Sequence, residues 1–202
     1  MDHVVVDVEI IKTIEETPGG WDATDKLGVA VACVYQYQDQ RIKVYGPDDV
    51  DALRERLLRA ERITGYNIWK FDFPVIWGIP SLDWMVKGDP HHILKAELSL
   101  RTNDLLRRIW YAAGLSPDRF DKRTHGGYSL DTIALRTLGV GKVGNGADAP
   151  KWYQQGLIQK VVNYCSDDVC LERDLSDFID RYGYVVLGDG KTLKVEQNKR
   201  WV

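Results

Sequence analysis

Three short stretches carry carboxylates in surroundings where an apolar residue would bury at less cost. VVVDVEI places Asp7 and Glu9 in a valine-rich run, GYNIWKFDFPVI places Asp72 among aromatic and aliphatic residues, and NYCSDDVCL places Asp167 and Asp168 in an apolar helical pattern. Side chains alternate along a strand, so Asp7 and Glu9 share one face and Val6 and Val8 the other. Valines on both faces indicate an interior strand. Two adjacent buried carboxylates repel each other and lose hydration, and they become tolerable when a cation neutralises them. Asp72 follows Asn67 by five residues and precedes Pro74 by two, where a strand gives way to a helix. At about 100° per residue, the stripe Ile158, Val161, Val162, Cys165, Val169 and Ile179 puts Asp168 about 60° from Cys165, at the stripe's edge. Asp167 projects about 160° from Cys165, towards solvent. Tyr164 lies one turn before Asp168 on the same side.

Each stretch has a plain structural reading. Asp7 and Glu9 could face water on an edge strand, Asp72 could cap a helix, Asn67 could serve a turn, and Tyr164 and Asp168 could form an i,i+4 pair. Together those readings require separate accidents that all set acids at the edge of a core. Four carboxylates (Asp7, Glu9, Asp72 and Asp168) on a strand, a helix start and a helix suit two hard divalent cations, Mg²⁺ or Mn²⁺, with oxygen ligands throughout. Two such ions roughly 3.5–4 Å apart support in-line displacement at phosphorus.

The elements that must position these groups follow from pattern. Residues 3–10 read as a strand, 27–37 as a longer β-prone run, and RIKVYG as its hairpin partner after the turn QDQ. PDDVDALRERLLRA marks a helix, RITGYN a short strand, and Pro74 the first turn of a helix running to about Gly78. Residues 79–103 read as irregular. TNDLLRRIWYAAG passes from a strand end into a helix, and SPDRFDKRTHGGYS reads as a polar loop. SLDTIALRTLG is a helix with Ser129 as N-cap and Gly139 at its end. VGKVGNGADAP reads as a flexible connection, residues 156–182 as the longest helix, and YVVLGDGKTLKVE as a hairpin turning at Asp189-Gly190. The pattern predicts an α/β protein with a central mixed sheet flanked by helices.

With these motifs in order, the chain resembles the DEDD group of 3′–5′ exonucleases, on the ribonuclease H-like fold. DVE matches DxE, GYNIWKFD an asparagine followed by an aromatic-Asp pair, and YCSDD the YxxxD of the tyrosine subtype. Asn163 stands where the other subtype carries histidine, and Ile10 where many relatives carry Thr or Ser. GYNIWKFDFPVI, YCSDDVCL and LRTLGVGK are similar to segments of family B DNA polymerase proofreading domains. The whole layout, with GGW after the first motif and a terminal hairpin at about 184–197, is similar to bacterial and phage stand-alone predicted exonucleases. The likeness covers about residues 3–180. It implies that Asp7 touches both metals, that Glu9 and Asp168 hold the ion carrying the attacking water, and that Asp72 helps hold the other. It further implies that Tyr164 orients the water, Asn67 contacts the terminal nucleotide, Phe71 packs near it, and Lys142 meets phosphate. The implied substrate is single-stranded DNA or RNA with a free 3′ end, DNA favoured. A non-catalytic module binding nucleic acid or a replication or repair partner, an endonuclease, and a ribonuclease are the alternatives on the same fold.

Composition sets the frame. The 202 residues suit one domain over 1–202, and a hydrophobic content of 44% with 28% charged residues suits a globular protein. A formal charge of -3 shows no global basic signature of nucleic-acid binding, although an acidic site lowers the total by itself. Cys33, Cys165 and Cys170 offer neither a disulfide framework nor zinc-ligand spacing, so reduced thiols are expected. No window approaches a membrane span, and the N-terminus enters VVVDVEI without a leader pattern. A cytoplasmic protein without membrane contact is the expectation. Trp21 could stack on a base or sit in the core. His91 and His92 read as surface residues, His125 as part of a solvated basic loop or a phosphate contact, and Asp104 and Asp131 as capping or supporting acids.

Overall fold

The first strand, β1 (His3–Ile10), is buried along almost its whole length and ends up in the middle of a sheet. It pairs antiparallel with β2 (Val29–Gln36), which pairs antiparallel with β3 (Arg41–Tyr45). On its other side it pairs parallel with β4 (Arg62–Gly65), and β4 pairs parallel with β5 (Thr102–Asp104). The order β3-β2-β1-β4-β5 makes a mixed five-stranded sheet of the ribonuclease H-like kind. The computed structural model describes residues 1–81, 84 and 91–196.

The alternation of β1 divides the core. Val4, Val6, Val8 and Ile10 join one apolar cluster with Leu53 and Leu57 of α1 (Val50–Arg59) and Phe73 and Ile76 of α2 (Asp72–Trp77). Val5 faces the opposite side. There it packs with Val31, Cys33 and Tyr35 against Val161, Tyr164, Cys165 and Val169 of the long helix. Asp7 and Glu9 point to that second face, so the strand that binds the molecule together also delivers two acids beneath a helix.

Between β4 and the long helix the chain forms α3 (His92–Ser99), α4 (Leu105–Ala112), α5 (Lys122–His125), α6 (Leu130–Leu138) and α7 (Ala149–Gln154). The long helix is α8 (Ile158–Tyr182). The hairpin β6 (Tyr184–Val186) and β7 (Thr192–Lys194) forms its own two-stranded sheet, with Gly190 at φ 82° in the turn. It is tied to α6 where the Val186 amide donates to the Thr137 hydroxyl at 3.0 Å. Among the described residues no helix is long and apolar enough to cross a membrane.

Several expectations need correction. Part of the irregular stretch 79–103 is helical as α3, and its residues 82–83 and 85–90 lie outside the described residues, as does residue 197 of the hairpin. The polar loop 116–129 contains α5, started by Asp121, whose carboxylate accepts the Arg123 amide. The end of the glycine-rich connection opens α7, with Pro150 early in the helix, where its missing N–H costs nothing. Ile158 is exposed, because it belongs to the first turn of α8, beyond the reach of the sheet.

Candidate active site

Asp7, Glu9 and Asp168 converge: one carboxylate oxygen from each lies within 4.8 Å of the others. β1 supplies the first two and α8 the third. Asp168 is buried at 2% exposure while Asp167 is exposed, which is the split the helical angles predict. A register shift between Glu9 and Ile10 against β2 marks a bulge, a device that re-aims side chains at the end of a strand.

Asp72 is bonded to the strand that carries Asp7 and Glu9. It is the first residue of α2, and Phe71, not Asp72, stands at the N-cap. Its Oδ1 accepts the Val8 amide at 3.1 Å, which clamps α2 to the strand carrying Asp7 and Glu9. The capping reading is therefore incorrect. Gly65 permits the approach: a Cβ there would meet Ile68 and the Val6 carbonyl at 2.9–3.0 Å. Asn67 adopts φ 64°, the left-handed region that asparagine tolerates, and the next turn leads into α2.

Lys142 and Tyr164 close the site. The Lys142 Nζ lies 2.5 Å from Asp168 Oδ2 and 5.2 Å from the centre of the Tyr164 ring. Asp131 of α6 holds this lysine's backbone, accepting the Lys142 amide at 2.8 Å. Gly144 lets the same loop lie on the Tyr164 ring, where a Cβ would come within 3.2 Å of it. Trp152 meets the phenol ring edge-on beside the same loop, at 5.8 Å between ring centres. Asp168 Oδ2 has its ion pair with Lys142, while the Tyr164 hydroxyl and Asp7 Oδ2 are buried without a hydrogen-bond partner. Such atoms are uncommon in native folds and call for a ligand, a solvent molecule or an ion.

One member of the cluster escaped the sequence reading. Glu172 is fully enclosed, one turn beyond Asp168 on α8. Its Oε1 accepts the Tyr66 amide at 3.1 Å, and its Oε2 is buried without a partner. The i+4 spacing from Asp168 was its only signal, and in a helix otherwise rich in surface acids that signal is faint.

The electrostatics follow from this crowding. Burial, then Asp168, pushes the Asp7 carboxyl up to about 7, with Lys142 opposing the shift. Burial together with the Asp7 charge also raises Glu9, Asp72 and Glu172 well above the ordinary carboxylate range. Burial alone would lower Lys142, but Asp168 and Asp7 outweigh it and its pKa rises. The folded protein therefore keeps protons that the unfolded chain releases, and these groups make stability fall as pH rises through the folded values. His3 acts in the opposite direction. Burial lowers it to about 3, so its contribution grows with pH and ends near its ordinary value of 6.5. In chelating buffer, thermal unfolding midpoints should therefore fall as pH rises above about 6.5, where His3 no longer contributes and the raised carboxyls give up their protons. Added Mn²⁺ should restore the midpoint at the higher pH. A flat profile in chelator would mean that the carboxylates are not crowded as described.

The remaining candidates sort clearly. Trp21 is 66% exposed and meets Phe71 at 5.8 Å between ring centres, beside the Asn67–Asp72 turn, so it is not a core residue. His125 is neither solvated nor free to touch phosphate. It is buried against Trp110, and its Nε2 lies 3.0 Å from the Ser116 carbonyl. His91 and His92 sit at the start of α3, away from the acids in sequence and partly or fully exposed. Cys33, Cys165 and Cys170 are free thiols, and Cys165 donates to the Asp7 carbonyl at 3.4 Å.

No family model matches the chain, and no curated protein matches it. Among solved structures it is similar to the family B DNA polymerase from the hyperthermophilic archaeon Pyrobaculum calidifontis. The identity is 16%, the TM-score 0.52, and the match covers 89% of this chain but 24% of that one. The chain thus shares its fold with one part of that polymerase and spans about a quarter of its length.

Proposed function

We propose that the chain is a metal-dependent 3′–5′ exonuclease that hydrolyses single-stranded nucleic acid, DNA favoured, and releases nucleoside 5′-monophosphates. The observation carrying this reading is the convergence of Asp7, Glu9 and Asp168 within 4.8 Å, with Asp72 bonded to the strand between the first two. An all-oxygen donor set, with Asp7 Oδ2 buried and unpartnered and Asp168 Oδ2 met by Lys142, fits hard divalent ions such as Mg²⁺ or Mn²⁺. Asp7, Glu9, Asp72 and Asp168 would hold them. When bound, two such ions acidify a water and offset charge on the reacting phosphate and the leaving 3′ oxygen.

The chain's own groups supply position and local charge. The Tyr164 hydroxyl, fixed between Trp152 and Lys142, would accept or donate one hydrogen bond to the attacking water. Lys142 would place its ammonium against a phosphate oxygen once another cation serves Asp168. Asn67 and Phe71, on the turn entering α2, would meet the terminal nucleotide, and Trp21 would stack beside it. The free site is acidic, so nucleic acid should bind poorly without the ions.

One observation favours a rival. The Lys142–Asp168 pair at 2.5 Å already supplies a cation to the cluster, as a non-catalytic binding module would need. Calorimetric titration with Mn²⁺ separates the two, since a module held by its own lysine has no call for the ion. The direct test is digestion of end-labelled single-stranded DNA and RNA in Mg²⁺, Mn²⁺ or EDTA. Hydrolysis should need the ion and stop at a 3′-phosphate or 3′-phosphorothioate linkage, while 5′ blocks have no effect. Cutting of a closed circular strand would show an endonuclease instead.

A further inference from the structure

Phe120 is 54% exposed, yet it is not loose. Its ring lies 6.1 Å from Trp110 and 5.5 Å from His125, both buried. His125 is fixed in turn by the Ser116 carbonyl at 3.0 Å and the Thr124 hydroxyl at 2.9 Å. The polar loop thus presents to solvent an aromatic ring held in place by buried neighbours.

The charges around that ring are one-sided. Lys70 places its Nζ 5.0 Å from the Phe120 ring centre, and it sits on the turn that leads through Phe71 to Asp72. Asp118 is committed to Arg107 at 3.2 Å, and Asp121 to Arg123 at 3.3 Å. Arg119 and Lys122 are exposed and have no acidic partner among the described residues. The surface therefore pairs a half-exposed aromatic ring with three cations, Lys70, Arg119 and Lys122, of which Lys70 already lies over the ring. Beyond Lys70 the aromatic line continues through Phe71 to Trp21.

We propose that Phe120, with Lys70, Arg119 and Lys122, is a second stacking site for a single-stranded polynucleotide, taking a base beyond the end held at Asn67 and Phe71. The proposal rests on the exonuclease reading for the direction of the strand. Every base has a π-face and every linkage a negative charge, so alternating rings and cations recognise such a strand without reading its sequence. Because the ring is already braced, binding loses little side-chain freedom. A duplex would offer no free face to Phe120.

The test is binding of 5′-fluorescein oligothymidylates in Ca²⁺ buffer, one a trinucleotide and one of about 12 nucleotides, a length within the span of single-strand sites. Phe120→Ala should weaken the longer strand about tenfold, in line with losing one stacked base, and leave the trinucleotide unchanged. Phe120→Trp should keep or improve affinity. Arg119→Glu with Lys122→Glu should reduce the salt dependence for the longer strand by about one to two phosphate contacts. Equal losses for both lengths would make Phe120 a structural residue and overturn the proposal. So would unchanged binding of the longer strand, no binding by the parent protein, or capture by phosphatidylserine vesicles in place of DNA. If the length-dependent loss is found while no variant or parent hydrolyses DNA in Mg²⁺, the exonuclease reading fails and the stacking site stands.

Discussion

Asp7→Asn is expected to lower hydrolysis by at least about a thousandfold and, at the same time, to raise the thermal midpoint in chelating buffer at pH 8. Removing one preorganised group from a charge-stabilising site costs about 10²–10³ in rate, and Asp7 meets both Glu9 and Asp168 within 4.8 Å. The opposite sign for stability follows from the same position. The Asp7 carboxyl is pushed up to about 7 by burial and by Asp168, so at pH 8 the folded protein holds a charge it would rather not carry. An amide keeps the shape and removes that charge. Turnover on a labelled strand and thermal unfolding in EDTA, on the same preparation, check both halves. Near-normal turnover would sink the two-ion reading. Lost activity with a lowered midpoint would show that Asp7 holds the fold through its contacts more than it strains it through its charge.

Asp168→Ala should abolish activity, while Asp167→Ala should change neither rate nor stability beyond the surface range of about 0.5 kcal/mol. The two are neighbours in sequence and of identical chemistry, so the contrast isolates position. Asp168 is buried and carries the Lys142 pair at 2.5 Å. On the proposed reading its removal takes a ligand from the site, and it leaves the Lys142 ammonium among fewer acids. Asp167 faces solvent on the far side of α8. Single-turnover rates for the two variants, with Mn²⁺ affinity measured for each, decide the matter. Equal losses would mean that the helix face facing β1 is not the one described.

The features legible in the sequence are those written in local periodicity. Alternation in VVVDVEI gave Asp7 and Glu9 a common face, and the strand proved to be central, as the valines on both sides imply. Helical angles separated Asp168 from Asp167, and Ser129 and Gly139 mark the ends of α6 as read. Pairings across long stretches of chain were not legible. Nothing near Asp72 indicates that its carboxylate would accept the Val8 amide instead of capping its own helix. Glu172 reads as one more helical acid until Tyr66 is placed beside it. His125 was misread because α5 is a single short turn inside a polar stretch, and its burial depends on Trp110 from another helix. The Lys142–Asp168 contact needs a glycine-bearing loop to cross Tyr164, and the individual glycines do not announce which ring they will cross.

Asp104 is the plainest case of one side chain serving several segments. Its carboxylate accepts the amides of Asn67 and Trp69 at 3.1 and 3.0 Å, and that of Arg107 at 3.2 Å, while burial raises its pKa. The turn that enters α2 and the first turn of α4 therefore hang from a single peg. In terms of amide exchange with solvent, these protons do not open one at a time: freeing any of them means withdrawing the carboxylate from the others, so the two turns behave as one cooperative unit of local unfolding. The turn that enters α2 is thereby tied to α4 by the very residue that caps that helix.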